Sequence, residues 1–245
     1  MITFFNFLLI LHIGGGAVGL ITGTLAAGVK KGSKLHKLCG LAFFWGMLFA
    51  SIAALILSNL PNHENIFLFA VGGFTLFMIC SGYRIIHLKK RIKLTGNPFT
   101  FLDSLIFLFG VSFGSFLLIL GSNRIINGIS FGVVPSVFGL ISVGFAWQDY
   151  KVISRKAEIK QVWIRNHIIR MMGALIASYT AFLVVNFQIQ PNWALWLAPT
   201  LIGSLLIVTL LESMCQLKRT KLIDNHLNHK QWKMKIILPQ KKVSC

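Results

Sequence analysis

The sequence predicts an all-α integral membrane protein, a bundle of about seven transmembrane helices. Of its 245 residues, 55% are hydrophobic and 12% are charged, and the mean hydropathy is +0.73. Soluble domains carry about 25% charged residues. Two patterns support the same class: seven long apolar runs, and basic residues that gather in alternate connections between them.

A transmembrane helix needs about 20 consecutive, mostly apolar residues. The runs that meet this requirement are 3–29, 38–60, 65–88, 99–122, 126–147, 166–188 and 192–214. The first run follows no basic segment and is longer than the apolar core of a signal peptide, so we predict a retained helix. We divide the chain into a transmembrane domain, 1–215, and a basic tail, 216–245.

The net charge is +18, and the distribution of the basic residues along the chain indicates how the protein is oriented in the membrane. The first, third and fifth connections and the tail are rich in Lys and Arg, whereas the second and sixth have none and the fourth has only Arg124. By the positive-inside rule, the N-terminus then lies outside and the C-terminus in the cytoplasm. We therefore expect a multi-pass protein of the bacterial inner membrane, in contact with lipid and not with nucleic acid.

One candidate ligand lies within the first run. His12 precedes a ladder of small residues at four-residue spacing, Gly15, Gly19, Gly23 and Ala27. An ionisable residue inside a span is costly and is by default a functional hypothesis. A histidine beside a flat glycine face would suit a porphyrin ring. The alternative is a neutral histidine hydrogen-bonded to a neighbouring helix.

Three further histidines are predicted at one depth near the cytoplasmic side: His36, His87 and His167. Imidazoles there are candidate ligands for haem b iron or, alternatively, for one metal ion. Histidines are also common where helices leave a membrane, so a plain interfacial role stays open. His12 is roughly 25 Å from this depth, at about 1.5 Å per helical residue, and belongs to the outer half.

Three charged residues support the inner histidines. They are Asp103, Asp149 and Arg170. A charge at this depth normally pairs or reaches toward the interface, and we expect Arg170 to pair with Asp103.

Two blocks of the sequence resemble a known family. The first block contains His12, the glycine-rich helix, Lys31-Gly32, His36, Gly40 and Met47. It resembles the N-terminal pattern of a family of predicted bacterial multi-pass membrane proteins, which is catalogued as a domain of unknown function. The second block contains His167, Met171 and the run Ala174 to Asn186. It resembles a later block of that family, with Arg170 where the family has a tryptophan. The resemblance implies shared intramembrane histidines and no known activity. A looser architectural likeness is to haem-b transmembrane electron-transfer proteins.

Two functional hypotheses follow, and whether the protein is an enzyme stays open. The first is a haem-b or metal-binding redox protein with a quinone or another redox partner. The second is a structural or sensory membrane protein whose basic inner face binds anionic lipid or a partner. A retinal protein is excluded because residues 192–214 contain no lysine for a Schiff base.

Overall fold

The computed structural model describes residues 2–95, 100–154, 159–187, 194–214 and 216, all of them in helices, turns or short connections, with no strand. Seven long helices follow one another: α1 (Ile2–Gly28), α2 (Lys34–Leu57), α3 (Ile66–Thr95), α4 (Phe101–Ile126), α5 (Val133–Ile153), α6 (Ile159–Asn186) and α7 (Ala194–Met214). Each contains a stretch long and apolar enough to cross a membrane. The predicted all-α fold is confirmed for the described residues, and so is the number of helices that are long and apolar enough to span a membrane.

The chain divides into two units after Gly203. The first unit holds α1 to α6 and the beginning of α7. Of the second unit, the described residues 204–214 and 216 are helical. The rest of the predicted basic tail lies outside the described residues, and the predicted domain boundary stays a prediction.

The helix ends depart from the apolar runs because local capping fixes them. The helix α2 begins at Lys34, four residues before the run, since the Ser33 hydroxyl accepts a hydrogen bond from the His36 amide at 3.1 Å. The predicted fifth run, 126–147, is displaced from α5. There α4 continues to Ile126, and Gly128 (φ +76°) makes the turn that follows.

In the first unit α3 is the most buried of the spans, and it packs against α2, α4 and α6. The helix α1 lies along α2 and leaves large apolar side chains such as Ile10 and Ile21 exposed. Such a face suits lipid, which solvates apolar side chains at no cost.

The predicted small-residue face of α1 meets α2 backbone to backbone. A Cβ at Gly15 would lie 2.7 Å from the Gly46 oxygen, and a Cβ at Gly46 would lie 2.8 Å from the Gly15 oxygen. Only glycine permits this approach. The glycine surface that would have suited a porphyrin ring is therefore a contact between two helices.

Candidate functional site

Four histidines share one arrangement of the imidazole ring. In each, Nδ1 lies within hydrogen-bond distance of a backbone carbonyl: His12 with Ala50 (2.9 Å), His36 with Ala26 (3.0 Å), His87 with Tyr83 (3.2 Å) and His167 with Gly82 (2.8 Å). A carbonyl only accepts, so Nδ1 must carry the proton. In the neutral ring Nε2 then keeps its lone pair, which is the state of a histidine ready to bind a metal.

His36 connects the start of α2 to the end of α1. Its Nδ1 donates to the Ala26 carbonyl, one of the carbonyls that the end of α1 leaves without a helical partner. Lys31 donates to the same oxygen at 3.1 Å and also to the Ala27 oxygen. Partial burial lowers the pKa of Lys31 below its ordinary value. These contacts order the turn that positions the His36 ring.

His167 connects α6 to α3 at a point of close approach. A Cβ at Gly82 would lie 2.9 Å from the Arg170 Cβ, so the two helices nearly touch there. This lets His167 reach the Gly82 carbonyl. His36 and His167 are also near enough to interact coulombically. The structure thus brings these two predicted ligands into one neighbourhood.

His87 and His12 contact other partners. The bond from His87 goes to Tyr83 on its own helix, and its ring lies 4.6 Å from the Tyr83 ring. His12 donates to the Ala50 carbonyl of α2. This matches the alternative interpretation of His12 as a neutral histidine hydrogen-bonded to a neighbouring helix. The exposed His63 stacks on Phe5, with ring centroids 4.2 Å apart. Within the described ranges, no group of three or more His, Cys, Asp or Glu residues is placed to hold a metal ion.

Arg84 and Asp103 form the first of two ion pairs. Arg84 donates from Nε to Oδ1 at 2.5 Å and from Nη2 to Oδ2 at 3.0 Å. The backbone N–H and the hydroxyl of Thr100 each donate to Oδ2 at 2.7 Å, in a capping box that begins α4. Arg84 is not among the functional residues predicted from the sequence. Thr100 and Asp103, at capping-box spacing, were the available signal for the helix start.

The second ion pair corrects an expectation. Arg170 pairs with Asp149, Nη1 to Oδ2 at 2.8 Å, and not with Asp103, which already binds Arg84. Its Nη2 donates to the Phe145 carbonyl at 3.0 Å, while Nε has no partner. Arg170 is 0% exposed. Depth alone allowed either carboxylate as partner, because a hydropathy pattern does not show which way each helix faces.

A small cavity lies beside these ion pairs. Its volume is about 30 Å³, and its polar lining consists of Ser81, Arg84, Asp103 and Asp149. A water molecule needs about 10–15 Å³ of such volume and two to four polar partners. The cavity therefore suits one or two waters and is far too small for a porphyrin.

The fold and these residues define a class, the multi-pass α-helical membrane proteins, here with charged residues paired inside the bundle. Comparisons with protein-family models, with curated proteins and with solved structures give no match.

Proposed function

We propose that this chain is a redox protein of the bacterial inner membrane that binds haem b, with His36 and His167 as its iron ligands. One observation carries the proposal. Both rings are oriented through Nδ1 by a carbonyl of a neighbouring helix, both retain Nε2, and the two interact coulombically. Haem iron takes axial imidazole ligands of this kind.

The ligand count favours haem over a single metal ion. Zinc sites use three or four protein ligands. In the described part of the chain, no group of three or more His, Cys, Asp or Glu side chains is placed to bind a metal ion. Haem iron needs only one or two axial side chains, since the porphyrin supplies the other four ligands. In this proposal His87 and His12 are further candidate ligands of lower rank, because no interaction within the described residues links either of them to His36 or His167 in the way that one links those two.

The cavity beside the ion pairs does not accommodate a porphyrin. If haem is bound, His36 and His167, which are both half-buried, would hold it outside this cavity. Lys34 and Lys37 flank His36 and are exposed. Their cations would pair with the carboxylates of the haem propionates.

The proposal includes an orientation. The basic connections face the cytoplasm and the N-terminus lies outside, as the alternation of Lys and Arg supports. The histidine pair then lies at the cytoplasmic side, where a quinol in the membrane or a cytoplasmic donor can supply electrons. Membership in the family of unknown function that the residues around His12 and His36 resemble is part of this proposal.

The test is an absorption spectrum of protein purified in detergent after expression with haem supplied. We expect a Soret band that shifts on addition of dithionite, as for haem with two imidazole ligands. The variant His63→Ala is the matched control, since His63 is exposed and distant in sequence from both ligands. Absence of a Soret band, together with no bound metal by elemental analysis, overturns the proposal.

A second candidate function rests on the connection between α1 and α2. Lys30 in this connection, and Lys34 and Lys37 in the first turn of α2, are all exposed. Each basic residue near an anionic leaflet contributes about 1 kcal/mol to binding. This favours a structural or sensory protein that binds anionic lipid. The test is to measure, by native mass spectrometry, how much phosphatidylglycerol remains bound to the purified protein. Replacing the three lysines with glutamine should remove the lipid, and His36→Ala should not.

A further inference from the structure

Arg170 and His167 meet α3 at the same residue. His167 donates from Nδ1 to the Gly82 carbonyl at 2.8 Å. A Cβ at Gly82 would lie 2.9 Å from the Arg170 Cβ. Arg170 is three residues after His167, so the two side chains are neighbours on one face of α6. The position of the Arg170 stem therefore bears on the distance between the His167 ring and its carbonyl partner.

The far end of the Arg170 side chain is anchored on α5. Its guanidinium donates to the Asp149 carboxylate at 2.8 Å and to the Phe145 carbonyl at 3.0 Å. Its Cζ lies 5.1 Å from the centre of the Phe145 ring, a distance at which an aromatic face stabilises a cation. The side chain is fully buried. Release of this end would leave a buried charge without its partner, which is costly.

The helices α5 and α6 have little other contact. Within the described residues their backbones hardly approach one another, whereas α6 packs along α3. The long side chain of Arg170 crosses the gap, with its Cβ at Gly82 and its guanidinium at Asp149. The link from α5 to the contact between α3 and α6 therefore runs through Arg170.

We propose that Arg170, anchored by Asp149, is a positioning residue for His167. It holds α6 against α3 at Gly82, which keeps the Gly82 carbonyl within reach of Nδ1. The neutral ring is then held as the tautomer whose Nε2 is free to bind iron, since the hydrogen bond at one ring nitrogen determines the state of the other. The purpose of this arrangement rests on the proposed haem function, but the tautomer is a property of the chain without haem.

Nitrogen-15 NMR of the full chain, labelled at histidine and purified in detergent without haem, tests this inference. Ring nitrogens with and without a proton have separate chemical shifts, and at about pH 8.5 an ordinary histidine is neutral. The signals of His167 are assigned by their loss in His167→Gln. We expect the Nδ1–H form to dominate in the wild type. In Asp149→Asn the ratio of the Nε2–H form to the Nδ1–H form should rise by about two- to tenfold, the bias that one hydrogen bond supplies.

His36 is the internal control, because its carbonyl partner, Ala26, belongs to α1. Its tautomer should stay the same in Asp149→Asn, whereas a general loss of structure would change both rings. Gly82→Ala should reproduce the effect on His167, since the added methyl group forces α3 and α6 apart. Gly144→Ala, with no heavy atom within 4 Å of its added Cβ, should match the wild type.

Asp149→Asn can impair folding, so Arg170→Lys is measured beside it. Lysine keeps the buried charge but cannot reach both acceptors on α5, and the same change at His167 is expected. An unchanged His167 tautomer in these two variants, or an equal change at His36, overturns the inference whether or not the protein binds haem. A shifted tautomer in a protein that binds no haem supports the positioning role and overturns the proposed function alone.

Discussion

Arg84 of α3 binds Asp103 of α4 through two hydrogen bonds, with Nε 2.5 Å from Oδ1 and Nη2 3.0 Å from Oδ2. The side chain of Asp103 is 5% exposed and that of Arg84 is 18% exposed. The pair joins two successive spans, and both residues line the small cavity. Charges within a membrane-spanning bundle are costly unless paired, so we expect this contact to stabilise the packing of α3 against α4.

Removing one member of this pair should destabilise the protein. We expect Arg84→Ala or Asp103→Ala to lower the free energy of unfolding by about 3 kcal/mol, because each leaves the other charge without its partner. Denaturation in mixed micelles measures the change. The double variant should lose less than the sum of the two single variants. The control is Arg165→Ala, at an exposed arginine, and a loss no larger than that of the control would contradict the role of the pair.

Replacement of Arg170 by lysine should destabilise the protein. An ammonium group cannot reach the Asp149 carboxylate and the Phe145 carbonyl in the planar geometry of guanidinium. We expect Arg170→Lys to cost about 1–3 kcal/mol of unfolding free energy, through a buried acceptor left unpaired. Thermal unfolding in detergent measures it against Arg165→Lys. Equal midpoints for the two variants would show that Arg170 contributes only its charge.

The contact between α1 and α2 should be sensitive to a single methyl group. Gly15→Ala places a Cβ 2.7 Å from the Gly46 oxygen, and overpacking of this kind costs about 1–3 kcal/mol. Gly14→Ala is the matched control, with no heavy atom within 4 Å of its added Cβ. Thermal stability should fall for Gly15→Ala and stay level or rise for Gly14→Ala. A stable Gly15→Ala variant would mean that the helices do not pack this closely.

The proposed orientation predicts which connections face the outside. A maleimide that does not cross membranes, added to intact cells, should label Glu64→Cys and should label Lys30→Cys only after the cells are opened. Both positions are exposed and lie in successive connections. The reverse pattern would place the basic connections outside and contradict the orientation.

Sequence patterns predicted the spans well and the side-chain partners poorly. Apolar run length depends only on composition, so all seven helices could be found from it. Helix ends depend on caps such as Ser33, and the turn at Gly128 displaced the fifth run. The sequence predicted depths for the histidines but not the carbonyl partners of His12, His36 and His167, because these partners depend on which helices touch. The same reason explains why Arg170 was assigned to Asp103 and lies instead on Asp149.

The most direct test of the haem proposal is the amount of haem bound per chain. Purified wild-type protein and the variants His36→Ala, His167→Ala and His63→Ala are compared by pyridine haemochrome assay against protein concentration. We predict about one haem per chain in the wild type and in His63→Ala, and a large loss in each of the other two. Wild-type protein without haem, or full haem content in both ligand variants, would contradict the proposal.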